Sequence, residues 1–259
     1  MGPPGQAVPA HRALIGDAHP GWPVAAVEVV LLGAVLVVFA RLHAAVGTDV
    51  AAATANAGAL QSVEQQLHMN IELATNRWLI DHSVFIPLAV VLYRAYYVIL
   101  LGVLVWIFIR HADVYLHVRR TFVATIGLAL LVFWALPVSP PRFAVPGVVD
   151  IIAEHDILAG QPSRDMNSGA NHFSAMPSLH VGWSAWCAFA VWSALRGSHP
   201  RAALLAWLFP LVMVADVLAT GNHYVLDVVG SAVLLIVAIA VAHEWSGLVD
   251  DRAAPASTS

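Results

Sequence analysis

The chain has 259 residues, of which 59% are hydrophobic and 11% charged, with a mean hydropathy of +0.76 and a formal net charge of −4. A soluble domain carries about 25% charged residues, and several apolar runs here approach the roughly 20 residues that cross a bilayer. An ordinary soluble domain is therefore excluded, and with no basic patch the chain offers nothing to nucleic acid. The single cysteine, Cys187, lies inside an apolar run and reads as a small buried hydrophobe. Every one of the twelve Lys+Arg positions is arginine; the chain contains no lysine.

In chain order, residues 1–22 read as a disordered N-terminal tail, without the basic start and small-residue cleavage site of a signal peptide. Residues 24–42 form the first expected span, interrupted by Glu28. In residues 46–82, Val63, Leu67, Ile71, Leu73, Trp78 and Leu79 recur at roughly helical spacing among polar residues, which predicts an amphipathic segment on the membrane surface. Residues 84–109 are the second span, carrying Arg94 and the cluster Tyr93, Tyr96, Tyr97. Residues 122–136 are the third, stopped by Pro137, Pro140 and Pro141. A polar loop over 137–174 holds Asp150, Glu154, Asp156, Arg164 and Asp165. Spans four to six follow at 177–195, 202–219 and 224–242, and residues 246–259 read as a disordered tail. The expected fold is thus all-α: a polytopic membrane protein with six transmembrane helices in one bundle, residues 23–245, plus the interfacial segment.

Six spans put both termini on one side. That side and the loops sharing it hold seven arginines and the other loops four, so the positive-inside rule places the termini in the cytoplasm. The end of span three, the start of span four and the five-to-six turn then share the external face, where three polar clusters can meet.

The first cluster is Pro140-Pro141-Arg142, whose guanidinium is either an interfacial anchor or a fork of donors for phosphate oxygens. The second is Ala175-Met-Pro-Ser-Leu-His-Val-Gly-Trp183. Pro177 suits a first helical position, placing Ser178 and His180 in a first turn whose free N–H groups and dipole favour an anion. The third is Gly221-Asn222-His223-Tyr224-Val225-Leu226-Asp227. His223 and Asp227 are four apart and share a helix face. A carboxylate holding one imidazole nitrogen makes the other a better nucleophile, although a structural His–Asp bridge has the same spacing.

Pro177-Ser178-x-His180 and, 43 residues on, His223-x-x-x-Asp227 resemble the second and third signatures of the type-2 phosphatidic acid phosphatase superfamily. With Pro-Pro-Arg142 they look most like its branch containing inositol phosphorylceramide synthase, over roughly residues 60–243. The resemblance implies an integral-membrane lipid phosphatase or phosphotransferase working through a phosphohistidine. His223 would be the nucleophile, Asp227 its orienting carboxylate, and His180 the acid and base. Arg142 and Ser178 would bind phosphate, while Arg94, Tyr97 and Asn222 are candidates for contact with substrate. It implies no metal and no cofactor. The substrate would be a membrane lipid bearing a phosphate, phosphodiester or pyrophosphate, and the acceptor water or an alcohol such as a polyol.

The chain departs from the family pattern where that pattern supplies cations. The first signature is a lysine, six residues and Arg-Pro, but Ala135 stands seven before Arg142 and Phe143 replaces the proline. Asp216 and Val217 stand where the third signature has Ser-Arg, and Leu179 replaces a glycine. A phosphodiester or pyrophosphate asks less of such a pocket than a dianionic monoester. Arg94 is the expected substitute, with a bridge to Glu28 or Asp216 as its alternative role; Arg164 and His172 are weaker candidates. Two other classes fit the intramembrane charges: a transporter of a lipid or ion, and a catalytically inactive scaffold.

Overall fold

The computed structural model describes residues 22–155 and 171–253. The expected N-terminal tail up to residue 21, the loop containing Asp156, Arg164 and Asp165, and residues 254–259 lie outside the described residues. The described chain is helical: α1 (Trp22–Ala45), α2 (Val50–Gln66), α3 (Glu72–Asp81), a 3₁₀ turn (Ser83–Phe85), α4 (Ile86–Arg110), α5 (Ala112–Ala135), α6 (Pro141–Ala144), α7 (Ile151–His155), α8 (Leu179–Leu195), α9 (Pro200–Leu205), α10 (Leu208–Ala219) and α11 (Val225–Ala253).

Among the described residues, five helical stretches are long and apolar enough to cross a membrane: Ala25–Ala45, Ser83–Arg110, Ala112–Ala135, Pro200–Ala219 and Val225–Leu248. They mark an integral membrane protein. The remaining apolar helix of the expected six, α8, has 17 residues, about 25 Å at 1.5 Å per residue. It is short because it is central. Every residue from Val181 to Ala190 is buried, and α4, α5, α9, α10 and α11 pack around it. Small residues at Gly182, Ser184, Ala185, Ala188 and Ala190 let those neighbours approach closely. Trp183 and Trp186 fill the remaining space, the latter donating its indole N–H to the Val118 carbonyl at 3.0 Å. The outward faces of the outer helices carry exposed apolar residues such as Val29, Val98 and Ile236, as contact with lipid requires.

Helix boundaries differ from the apolar runs wherever polar residues find partners. α5 begins at Ala112, ten residues before the run, and carries Arg119 and Arg120 inside the helix. Glu28 of α1 accepts hydrogen bonds from both Arg119 and Tyr115, and Arg120 donates to Ser246 at 2.7 Å. That last bond lies on a helix that continues to Ala253, past the tail expected from residue 246. The fifth run breaks into α9 and α10, and Pro210 sits in the first turn of α10, where its missing N–H costs nothing.

α2 and α3 are two helices joined at residues 67–71, not one continuous segment. Their inward face is small and polar: Ala53, Ala57, Leu60 and Glu64 on α2, and Glu72, Asn76 and Leu79 on α3. Val63, Leu67, Ile71 and Trp78 are exposed. Asn76, fully buried, donates to the carbonyls of Val149 and Ala219 and accepts the Val149 N–H at 2.8 Å. Asn56 donates to the Pro137 carbonyl, and Ser139 N–H donates to Ala53 O. The pair thus straps the loops at one end of the bundle, and those loops carry the site.

Candidate active site

Two loops set the geometry. Residues 138 and 174 form a single parallel bridge, with Val138 N–H donating to Phe173 O at 2.8 Å and Ala175 N–H to Val138 O at 3.3 Å. This aims the Ala175 carbonyl at His223, whose Nδ1 lies 2.9 Å from that oxygen and 3.2 Å from Asp227 Oδ2. With two acceptors on Nδ1, the proton sits there and Nε2 keeps its lone pair for the pocket. His223 precedes α11 rather than lying on it, because the helix starts at Val225. Asp227 reaches back from the first turn, and Oδ2 also accepts the Tyr224 N–H at 2.8 Å, one half of a capping box.

The other first-turn donors of α11 are also taken by carboxylates. Val225 N–H donates to Glu72 Oε1 at 3.2 Å and Leu226 N–H to Glu64 Oε1 at 2.7 Å. This helix start is therefore occupied by protein acids. The start of α8 is not. Ser178 is its N-cap, accepting the Val181 N–H at 3.3 Å. The N–H groups of Leu179 and His180 have no partner among the described residues. Both residues line a cavity of about 160 Å³ together with His223, Arg142 and Asn222. An anion at a helix N-terminus would bind here, at α8.

Pro177 comes before the cap and so is not a first helical residue, which corrects the sequence expectation. Ser178 is fully buried behind the cavity and does not line it, so its hydroxyl serves the helix rather than facing a ligand.

Arg142 is held from three sides. Its Nε lies 3.2 Å from Asp150 Oδ2, its Nη1 donates to Asn222 Oδ1, and its guanidinium carbon lies 4.8 Å from the centre of the Phe143 ring. Asn222 Oδ1 also accepts the Tyr93 hydroxyl at 3.3 Å, and its amide donates to Thr220. The His180 ring stacks on Tyr93 with centroids 4.0 Å apart, touches Tyr96 at 4.3 Å, and lies 5.9 Å from the His223 ring. Tyr97 lines the cavity as expected.

Arg94 does not line the cavity; its guanidinium carbon is 5.9 Å from the Tyr93 ring centre. The bridges considered for it are not formed, since Glu28 is engaged by Tyr115 and Arg119, and both Asp216 carboxylate oxygens are buried without a hydrogen-bond partner. If the cavity is a phosphate-transfer site, as the resemblance implies, Arg142→Ala should lower its turnover by roughly 10²- to 10³-fold, and Arg94→Ala by clearly less. Steady-state rates of the two purified variants check the order.

Sequence reasoning missed His43, Asn171 and Ser174, all of which line the cavity; Tyr93 and Tyr96, noted only as members of a cluster, and His172, the weaker candidate, line it too. It also missed Glu64 and Glu72 as caps. Only the tyrosine cluster and His172 left a signal in the sequence.

Gly221 connects the two halves of the site. Its φ is +76°, and a Cβ there would lie 2.6 Å from Val148 Cγ1 and 3.0 Å from Val149 O. Its carbonyl accepts the Arg142 N–H at 2.9 Å. Gly221→Ala should cost about 1–2 kcal/mol in backbone strain alone and more from the clash. A lowered melting temperature, with turnover lost beyond what melting explains, is the expected result.

The class of protein is now defined: a polytopic helical membrane protein with two imidazoles, a carboxylate and a braced arginine around a helix start free for an anion. A family model described as the PAP2 superfamily matches residues 58–241, more than half of the chain. The chain belongs to the PAP2 superfamily. Membership suggests a phosphatase or phosphotransferase of lipid phosphates. No curated protein and no solved structure matches the chain.

Proposed function

We propose that this protein moves a phosphoryl group, or a phosphate-linked headgroup, from a membrane lipid to an alcohol or water through a phosphohistidine on His223. The observation that carries the reading is the pairing of His223, with Nδ1 committed to Ala175 O and Asp227, and His180, its ring 5.9 Å away in the same cavity. His223 Nε2 attacks phosphorus and the P–O bond to the leaving group breaks as His180 protonates the departing oxygen. His180 then takes the proton of the acceptor hydroxyl, whose oxygen attacks phosphorus and breaks the P–N bond. Arg142 and the N–H groups of Leu179 and His180 hold the phosphoryl oxygens as charge develops.

Among the described residues, Arg142 is the one arginine lining the cavity. A diester or pyrophosphate suits it better than a dianionic monoester, and this favours transfer over simple hydrolysis and the branch resembling inositol phosphorylceramide synthase. An apolar crevice of about 560 Å³ between α5 and α11, walled by Leu131, Leu136, Met176, Val229 and Val233, offers room for hydrocarbon beside the site. In this reading α8 is the fourth of six spans, both termini are cytoplasmic, the site faces outside, and α2 and α3 lie at the interface.

The test is trapping of ³²P-phosphohistidine on purified protein with labelled lipid phosphomonoester, diester and pyrophosphate. Label on the wild type and none on His223→Ala is expected. No label from any of the three, with no turnover, would move transport ahead.

A further inference from the structure

Most polar groups around the cavity are committed to the protein itself. Arg142 is bound to Asp150 and Asn222, Asn222 to Tyr93 and Thr220, and His223 to Ala175 and Asp227. Beside the ring of His180, which the proposed reaction uses as acid and base, two lining side chains differ. The ring nitrogens of His43 and the hydroxyl of Ser174 make no hydrogen bond among the described residues, yet both residues line the same cavity as His180 and His223.

His43 is not a loosely placed surface residue. Its ring stacks on Phe39 at 5.5 Å with 28° between planes and meets Phe133 edge-on at 5.3 Å, while Phe39 lies 5.6 Å from Trp183. The end of α1 is fixed by Asn171, whose amide donates to the carbonyls of His43 and Val46, both at 2.8 Å. Gly47 then turns the chain at φ +67°, where a Cβ would stand 2.7 Å from Phe133 O. Two aromatic contacts, two hydrogen bonds and a glycine turn therefore hold this imidazole with its polar edges unused. Helix α1 lies wholly outside residues 58–241, the part of the chain that matches the family.

We propose that His43, with Ser174, forms a hydroxyl-recognising lobe of the site. The inference rests on the phosphoryl-transfer reading above and adds a specificity determinant to it. Phosphate would bind between Arg142 and the start of α8, and a hydroxyl group belonging to the donor's headgroup or to the acceptor alcohol would reach the His43 imidazole and the Ser174 hydroxyl. A neutral imidazole and a hydroxyl each offer one donor and at least one acceptor, which matches an alcohol and gives an added phosphate charge nothing to pair with. The lobe would therefore discriminate by hydroxyl content rather than by charge.

The experiment measures binding of soluble probes to the full chain in detergent by competition and thermal shift. Methyl phosphate and its diester counterpart dimethyl phosphate report the phosphate half, glycerol phosphate reports a hydroxyl-bearing headgroup, and free glycerol added with methyl phosphate reports an acceptor. One neutral hydrogen bond contributes about 0.5–1.5 kcal/mol, so the wild type should favour a hydroxyl-bearing probe by roughly 3- to 10-fold. In His43→Ala and, separately, Ser174→Ala, that preference should fall towards one, and His43→Gln should restore part of it. Preference for glycerol phosphate assigns the lobe to the headgroup; an effect of free glycerol assigns it to the acceptor. The inference is overturned if the wild type binds the probes equally, or if the variants weaken methyl phosphate as much as glycerol phosphate. If neither methyl phosphate nor dimethyl phosphate binds, the phosphoryl-transfer reading fails first and the lobe falls with it.

Discussion

His223→Ala is expected to lower turnover of the preferred lipid phosphate by roughly 10⁵-fold or more, the scale seen when a covalent nucleophile is removed. Asp227→Asn should cost less, on the order of 10³- to 10⁴-fold. The carboxamide oxygen can still accept the Tyr224 N–H, but it carries no charge to stabilise the ring or fix its tautomer. His180→Ala should cost about 10²- to 10⁴-fold for an alkoxide leaving group and much less for a p-nitrophenyl ester, whose leaving group departs without a proton. That difference separates a proton donor from a structural histidine. Rates for the three variants with both kinds of substrate check the assignment, and a His223→Ala protein retaining more than about 1% of turnover would end the phosphohistidine mechanism.

Much of this site was legible because its chemistry lies in short motifs. Arg142, His180, Asn222 and His223 reach one cavity, as the expected meeting of three polar clusters on one face required, and Tyr97 joins them from α4. Asp227 stands behind His223, as the spacing of four predicted. Ser178 and Pro177 were misplaced for one local reason: the helix begins two residues later than the proline suggested, which turns Ser178 into the cap. Arg94 looked functional because a charge in an apolar run is costly, but sequence gives its depth and not the direction of its side chain. His43 left no signal at all. It lies more than 90 residues from the nearest motif and enters the site only because α1 packs on α5 and Asn171 fixes its end. The fold followed hydropathy well for the five long spans, and less well at α8, where burial by protein on all sides replaces length.

The polar face of α2 and α3 carries the second large expectation. The reading of residues 46–82 as an amphipathic surface segment singled out their apolar residues and gave Glu64 and Glu72 no role; both are buried and cap the helix that follows His223. Burial, reinforced by the neighbouring Glu72 and Asp227, pushes the Glu64 carboxyl from its ordinary 4.5 up to about 8, against the lowering effect of the Leu226 N–H. Between these two values the folded chain keeps a proton that the unfolded chain releases, so stability falls as pH rises through that window. Melting temperature should therefore decline from pH 5 to pH 8 and level off above that. Glu64→Gln removes the titrating group while its amide oxygen can still accept the Leu226 N–H, and it should flatten that decline. Glu64→Ala leaves the Leu226 N–H without its acceptor and opens a cavity, at a cost of about 1–3 kcal/mol for the unpaired group alone. Turnover should drop with it, because the N–H groups of Val225 and Leu226 tie α2 and α3 to the turn that holds His223. A melting temperature of Glu64→Gln that falls with pH as steeply as the wild type would show that another group carries the dependence.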